Sequence, residues 1–128
     1  MPLDELKGAI AQRGGYAYLL TVGPDGRSHC VAVNVDWLGD ELAVAPGNRS
    51  RDNAAARPLV SLLWPSPTIG DFSLLVDATV TSTIGGSGDN RIAMAPTKAV
   101  LHRSKDAQRQ GETSPCTSDC VPIFPGAD

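Results

Sequence analysis

The chain has 128 residues, a formal net charge of -3 and 41% hydrophobic residues, enough for one domain with a proper core but too little for two. A pI near 5.2 argues against general nucleic-acid binding, which needs a broad basic face. No apolar run is long enough to span a bilayer and no charged-then-apolar leader opens the sequence, so a cytoplasmic protein is expected.

With only two each of Phe, Trp and Tyr, the core has to be built mainly from Val, Leu, Ile and Ala. Three cysteines, an odd number without framework spacing, fit a reducing compartment better than a disulfide scaffold. Residues 3–12 place Leu3, Leu6, Ala9 and Ile10 at helical spacing, with Asp4 and Glu5 in the first turn and Gly14-Gly15 as the stop. This reads as an amphipathic helix covering one opening or edge of a sheet.

Residues 16–22 read as a strand, and Gly23-Pro24-Asp25-Gly26 is a strong turn signal. Residues 28–37 alternate regularly. His29, Val31, Val33, Val35 and Trp37 form a core-facing set, opposite the small and polar Ser28, Cys30, Ala32, Asn34 and Asp36. The second set suits solvent or a flat ligand lying on the sheet. A hairpin at Leu38-Gly39-Asp40 leads into a strand over 41–45, with Leu42 and Val44 expected inward and Ala43 and Ala45 outward.

The stretch from Gly47 to Pro58 is locally basic, with Arg49, Arg51 and Arg57 against Asp52. Asn48 or Ser50 is expected to cap a short Ala-rich helix that Pro58 ends, and residues 60–64 follow as a buried strand. Free N–H groups at a helix start beside guanidinium groups make an anion site, here a phosphate grip. A solvated surface needing no ligand fits the same residues. Beyond a loop over 65–71, residues 73–82 alternate again, 85–90 read as a flexible turn, and 91–103 as a last long strand bent at Pro96.

The sum is a mainly β chain of six antiparallel strands closed into a small barrel, because closure removes exposed edges. An N-terminal helix and a short helix between strands three and four complete it. The barrel domain is expected over 1–103. Residues 104–128 read as a polar, flexible tail carrying a Cys116-x3-Cys120 pair.

Element order and motifs resemble the pyridoxamine 5'-phosphate oxidase-like split β-barrels that bind flavin or deazaflavin. The resemblance spans 3–103. It is carried by the Asp25-Gly26-Arg27 turn, the Gly-x-Arg-Ser-x-x-Asn run from Gly47 to Asn53, and Pro58-Leu-Val-Ser-Leu-Leu-Trp-Pro65. It implies a homodimer with the cofactor in a groove between subunits, and gives Arg49 the place of the family's grip arginine. Ser50 stands where a lysine usually follows, with Arg51 one residue on, and Val31 replaces an arginine of the second strand. The Trp-x-Arg-Leu-Pro ending of true pyridoxamine-phosphate oxidases is absent, which argues against vitamin-phosphate oxidation.

On this resemblance an FMN-binding oxidoreductase is expected. Asn48, Arg49, Ser50, Arg51 and Asn53 would hold the phosphate, and Ala32, Asn34 and Ala45 would floor the ring. The cofactor does the chemistry, so no catalytic side chain is assigned. Two alternatives stand beside it: the deazaflavin coenzyme F-420, favoured by an Ala-, Gly- and Arg-rich composition, and a non-catalytic haem or flavin carrier. Lys98 and His102 are substrate candidates, His102 also a haem-ligand candidate, although a solvated edge and an ordinary surface histidine are the favoured readings of these residues. Two histidines without shared spacing give no metal signature. Trp64 and Ile69 are the outward apolar residues that would support a dimer contact.

Overall fold

A computed structural model describes residues 2–66, 71–83, 91–104 and 118–125, the side chains of Pro2, Ser104 and 118–120 excepted. Helix α1 (Pro2–Arg13) opens the chain, with proline in its first turn, Asp4 and Glu5 at its positive end and Arg13 at its negative end. Leu6 and Ile10 are buried in the main core, so the helix packs its apolar stripe into the barrel. Gly14 ends it at φ 88°, a conformation that costs a glycine little. The indole N–H of Trp64 donates to the Gly14 carbonyl at 2.9 Å and fixes the helix exit to the sheet.

Seven strands follow: β1 (Tyr16–Val22), β2 (Ser28–Leu38), β3 (Glu41–Val44), β4 (Leu59–Trp64), β5 (Ser73–Thr83), β6 (Ile92–Ser104) and β7 (Ser118–Phe124), with α2 (Asn48–Ala56) between β3 and β4. All pairings are antiparallel, in the order β3-β2-β1-β4-β5-β6-β7. A further β3–β6 pairing, with Ala43 opposite Ala93, closes the first six into the expected ring. Strand β7 is an addition, lying within the segment read as a polar tail. It pairs with β6 from Ala99 onward, buries Ile123 and touches α1. One edge of β6 is therefore divided, Ile92 to Met94 going to β3 and Ala99 to Ser104 to β7. The bend expected at Pro96 appears as a register shift against β5, where Asp77 faces Lys98 and Ala78 faces Pro96.

The alternation in the sequence sets the inside. Leu19, Leu42, Leu62, Leu74, Ile92 and Met94 are all fully buried. Two readings are corrected. Ala43 is buried along with Leu42 and Val44, because short β3 is covered on both faces; Ala45 is exposed. Trp64 is 1% exposed, sharing the inward face of β4 with Val60 and Leu62, so it offers no dimer contact. Ile69, Cys116 and the turn over 85–90 lie outside the described residues.

Outside the ring, a row crosses five strands: Ala32, Tyr18, Leu63, Leu75 and Val100 are successive cross-strand partners. Tyr18 and Leu75 in it are 39% and 37% exposed, so an apolar band faces solvent. Among the described residues, no helix is long and apolar enough to cross a membrane.

Candidate functional site

The site is an open cleft of about 980 Å³ between the β1–β2 turn and α2, lined by Pro24, Asp25, Arg27, His29, Arg49 and Asn53 among others. The turn wall is rigid for local reasons. Gly23 N–H donates to Arg27 O at 2.9 Å and Gly26 N–H to Gly23 O at 2.9 Å, while Gly26 takes φ 82°. Asp25 Oδ1 accepts from the Arg27 N–H at 3.1 Å, an Asx turn of the kind aspartate favours.

The helix wall departs from the expected capping. The N-cap is Gly47, with extended backbone and no side-chain cap bond. Asn48 is the first helical residue, and Ser50 lies inside the first turn. The first-turn N–H groups of α2 thus have no capping oxygen from a side chain. Pro58 acts as expected, with Arg57 extended at the C-cap, its N–H donating to Asn53 O.

Beneath the cleft a buried polar link ties helix to barrel. Asn53, 4% exposed, and Thr21, 1% exposed, are joined by Asn53 Nδ2 donating to Thr21 Oγ1 at 3.2 Å. Arg57 Nε donates to Val22 O at 2.5 Å and its Nη2 to Asn53 Oδ1 at 3.4 Å. Asn53 is therefore both a lining residue and the peg that sets where α2 sits.

The expected binding residues divide between three places. Arg49 and Asn53 line the cleft, and Asn48 is exposed beside it at the helix start. Ser50 is 1% exposed, and its Oγ has no hydrogen-bond partner; Arg51 Nε is likewise buried without one, and neither lines the cleft. Ala32 and Asn34 are exposed on the outer face of β2, and Ala45 is exposed just after β3. Lys98 and His102 are exposed on β6, which the β3–β6 pairing puts two strands from β2 round the ring. His102 pairs with Ser73, on the order of 20 Å along the strands from the cleft end at about 3.3 Å per residue.

Sequence reasoning missed the opposite wall. Arg27 and His29 were read only as a turn residue and a core-facing residue, yet both line the cleft with Asp25 and Asp52. Arg27 Nε lies 3.7 Å from Asp25 Oδ2, with side chains 88% and 65% exposed, while Arg49 has no ion pair among the described residues. Two cationic side chains thus face one opening from different elements. Two guanidinium groups, Arg27 and Arg49, and two carboxylates, Asp25 and Asp52, line the opening, and guanidinium groups are the side chains that bind phosphate most strongly. Among the described residues, no group of three or more His, Cys, Asp or Glu could hold a metal ion.

No protein-family model matches the chain. Among solved structures, an F420 reductase superposes with a TM-score of 0.57 at 21% identity, covering 71% of this chain and 93% of the other. A pyridoxamine 5'-phosphate oxidase-related, FMN-binding protein from Nostoc punctiforme gives 0.55 at 14%, covering 97% and 93%. A heme-binding protein from Mycobacterium smegmatis gives 0.61 at 12%, covering 95% of this chain and 58% of that one. The closed ring with an N-terminal helix and a helix after the third strand is the split barrel of the pyridoxamine 5'-phosphate oxidase-like proteins. Within that fold class, the chain belongs to the family of the uncharacterized protein Mb0449c of Mycobacterium bovis, 34% identical over an alignment of 118 positions covering 83% of each chain. A Mycobacterium tuberculosis protein, MT0457, matches to the same extent.

Proposed function

We propose that the chain is a homodimeric oxidoreductase that binds FMN in the cleft between the β1–β2 turn and α2, with its phosphate at Arg49. The observation that carries this reading is that Arg49 and Asn53 of α2 face Arg27 and the rest of the turn wall across one opening. Asn48, exposed at the helix start, would add a donor to the phosphate, with Ser50 and Arg51 next in the same helix, and Asn53 ties that helix to Thr21 of β1. The isoalloxazine ring lies towards Ala32 and Asn34 on the outer face of β2, where small side chains leave room for a flat system, with Ala45 at the margin. A bound flavin supplies hydride transfer; the chain supplies position, charge and exclusion of water.

The second copy covers the outer band of Tyr18, Leu63, Leu75 and Val100. Its support is that a contiguous apolar row is an association surface by default, and that most oligomers are two-fold pairs of identical faces. Lys98 and His102 flank that band on β6 and belong to the substrate side only in such a pair. A cytoplasmic site of action is part of the same proposal.

The test is the visible spectrum of the protein after incubation with FMN and desalting. Retained flavin in the native protein, and an Arg49→Ala affinity loss of about 1.5–3 kcal/mol, the usual worth of a charged hydrogen bond, support the assignment. Unchanged affinity in Arg49→Ala refutes it. Deazaflavin F-420 is the second reading, favoured by the 21% identity to an F420 reductase against 14% and 12% for the other two structures. Titration with both coenzymes decides between them. The haem reading has less support, because His102 stands away from the cleft.

A further inference from the structure

We propose that Arg27 is the second anion-binding guanidinium of the cleft, opposite Arg49, and that Asp25 occupies it until an anionic ligand takes the carboxylate's place. This rests on the reading above that the cleft receives a phosphate group, and it names the residue that supplies the charge lost where Ser50 replaces a lysine.

Elimination and geometry lead to the same residue. Arg51 does not line the cleft, and its Nε is buried. Arg57 is committed to the Val22 carbonyl and to Asn53. Arg27 and Arg49 are the arginines that line the opening, one on each wall. A phosphate monoester between them can accept from both, each guanidinium presenting a planar fork of donors.

The resident pair is built to yield. At 3.7 Å between Arg27 Nε and Asp25 Oδ2, it is longer than the roughly 2.7–2.9 Å of a strong charge-assisted bond. Both side chains are largely exposed, and such pairs hold weakly in water. A phosphate monoester carries about -1.5 to -2 charge and three acceptor oxygens, so it competes for Arg27 with the Asp25 carboxylate, while Asp52 on the helix wall is a second carboxylate of the lining. Releasing the Arg27 side chain does not dismantle the wall, because its backbone N–H stays on Asp25 Oδ1 and its carbonyl on the Gly23 N–H. Asp25 thus has two separable roles: one oxygen shapes the turn and the other neutralises the arginine. Asp25→Asn keeps an oxygen acceptor for the turn and removes the competing charge.

The experiment uses the full chain and two ligands, FMN followed by fluorescence quenching and inorganic phosphate followed by the arginine Nε–Hε resonances. Arg27→Gln is expected to weaken FMN roughly ten-fold, the low end for a charged hydrogen bond. Asp25→Asn is expected to tighten FMN several-fold, and that gain should vanish when Arg27→Gln is also present. Wild-type affinity in Arg27→Gln overturns the proposal, as does a gain from Asp25→Asn that survives without Arg27. Should the native protein reject FMN while inorganic phosphate shifts both the Arg27 and Arg49 resonances, the FMN reading fails and the two-walled anion site stands. Phosphate that moves Arg49 alone, or neither arginine, overturns the role of Arg27.

Discussion

Replacing Asn53 tests whether the cleft is positioned from below. Its side-chain amide is buried and donates to a buried Thr21 hydroxyl at 3.2 Å. Asn53→Leu removes a hydrogen bond worth about 1 kcal/mol net and strands the Thr21 oxygen at a further cost of about 1–3 kcal/mol. The total, about 2–4 kcal/mol, corresponds to a fall in Tm of roughly 8–15 °C at about 4 °C per kcal/mol for a chain of this size. Thr21→Val added to Asn53→Leu makes both partners apolar, which is close to neutral where shapes are preserved. The double variant should therefore recover part of the loss, with a coupling energy of about 1–2 kcal/mol from urea denaturation of all four proteins. An Asn53→Leu cost below about 0.5 kcal/mol, or strict additivity, would refute the idea that this link sets the helix. Anion affinity should fall in the single variant as well, because Arg49 rides on the same helix.

Ser50→Ala removes a buried hydroxyl that has no partner; it should raise stability by about 1 kcal/mol, and weakened FMN binding in the same variant would mean that the hydroxyl turns to the ligand. Leu75→Arg puts a charge in the middle of the outer band; if the proposed homodimer forms through that band, the variant should sediment as a monomer while the fold melts near the wild-type temperature. Leu62, on the inner face of the neighbouring β4, gives the contrast: Leu62→Ala, at a fully buried position, should cost about 2–5 kcal/mol of stability without a specific change in association.

The ring was legible because its strands alternate with period two and each is bounded by a turn with its own chemistry. Val33 and Val35 are buried, Ala32, Asn34 and Asp36 exposed, as the pattern in β2 requires. Helix α1 was equally plain from Leu6 and Ile10 and its end charges. Strand β7 was not, because Pro122 and the polar residues at its start carry no alternation, and Ile123, the buried side chain among its described ones, lies where β7 packs on β6 and α1. The cap of α2 was misplaced for a simpler reason. Asn48 and Ser50 are good cap residues, but the chain enters the helix one residue earlier, at Gly47. The cleft was half legible: the basic run marks the helix wall, whereas Arg27 and His29 lie twenty or more residues before Arg49, and the packing of α2 against β1 brings them opposite it.

The divided edge of β6 also bears on colloidal behaviour. Between the Met94 and Ala99 pairings, residues 95–98 have no strand beside them on that edge among the described residues. An open stretch of backbone is a template on which a foreign strand can add itself. Here the stretch contains Pro96, which has no N–H to offer, and the exposed Lys98, whose charge an incoming strand would have to bury. The Thr97 hydroxyl donates back to the Asp77 carbonyl at 3.1 Å, keeping that residue engaged with its own sheet. The gap is thus guarded by its own sequence against fibrous growth, and a change of Pro96 and Lys98 to valine would remove both guards together.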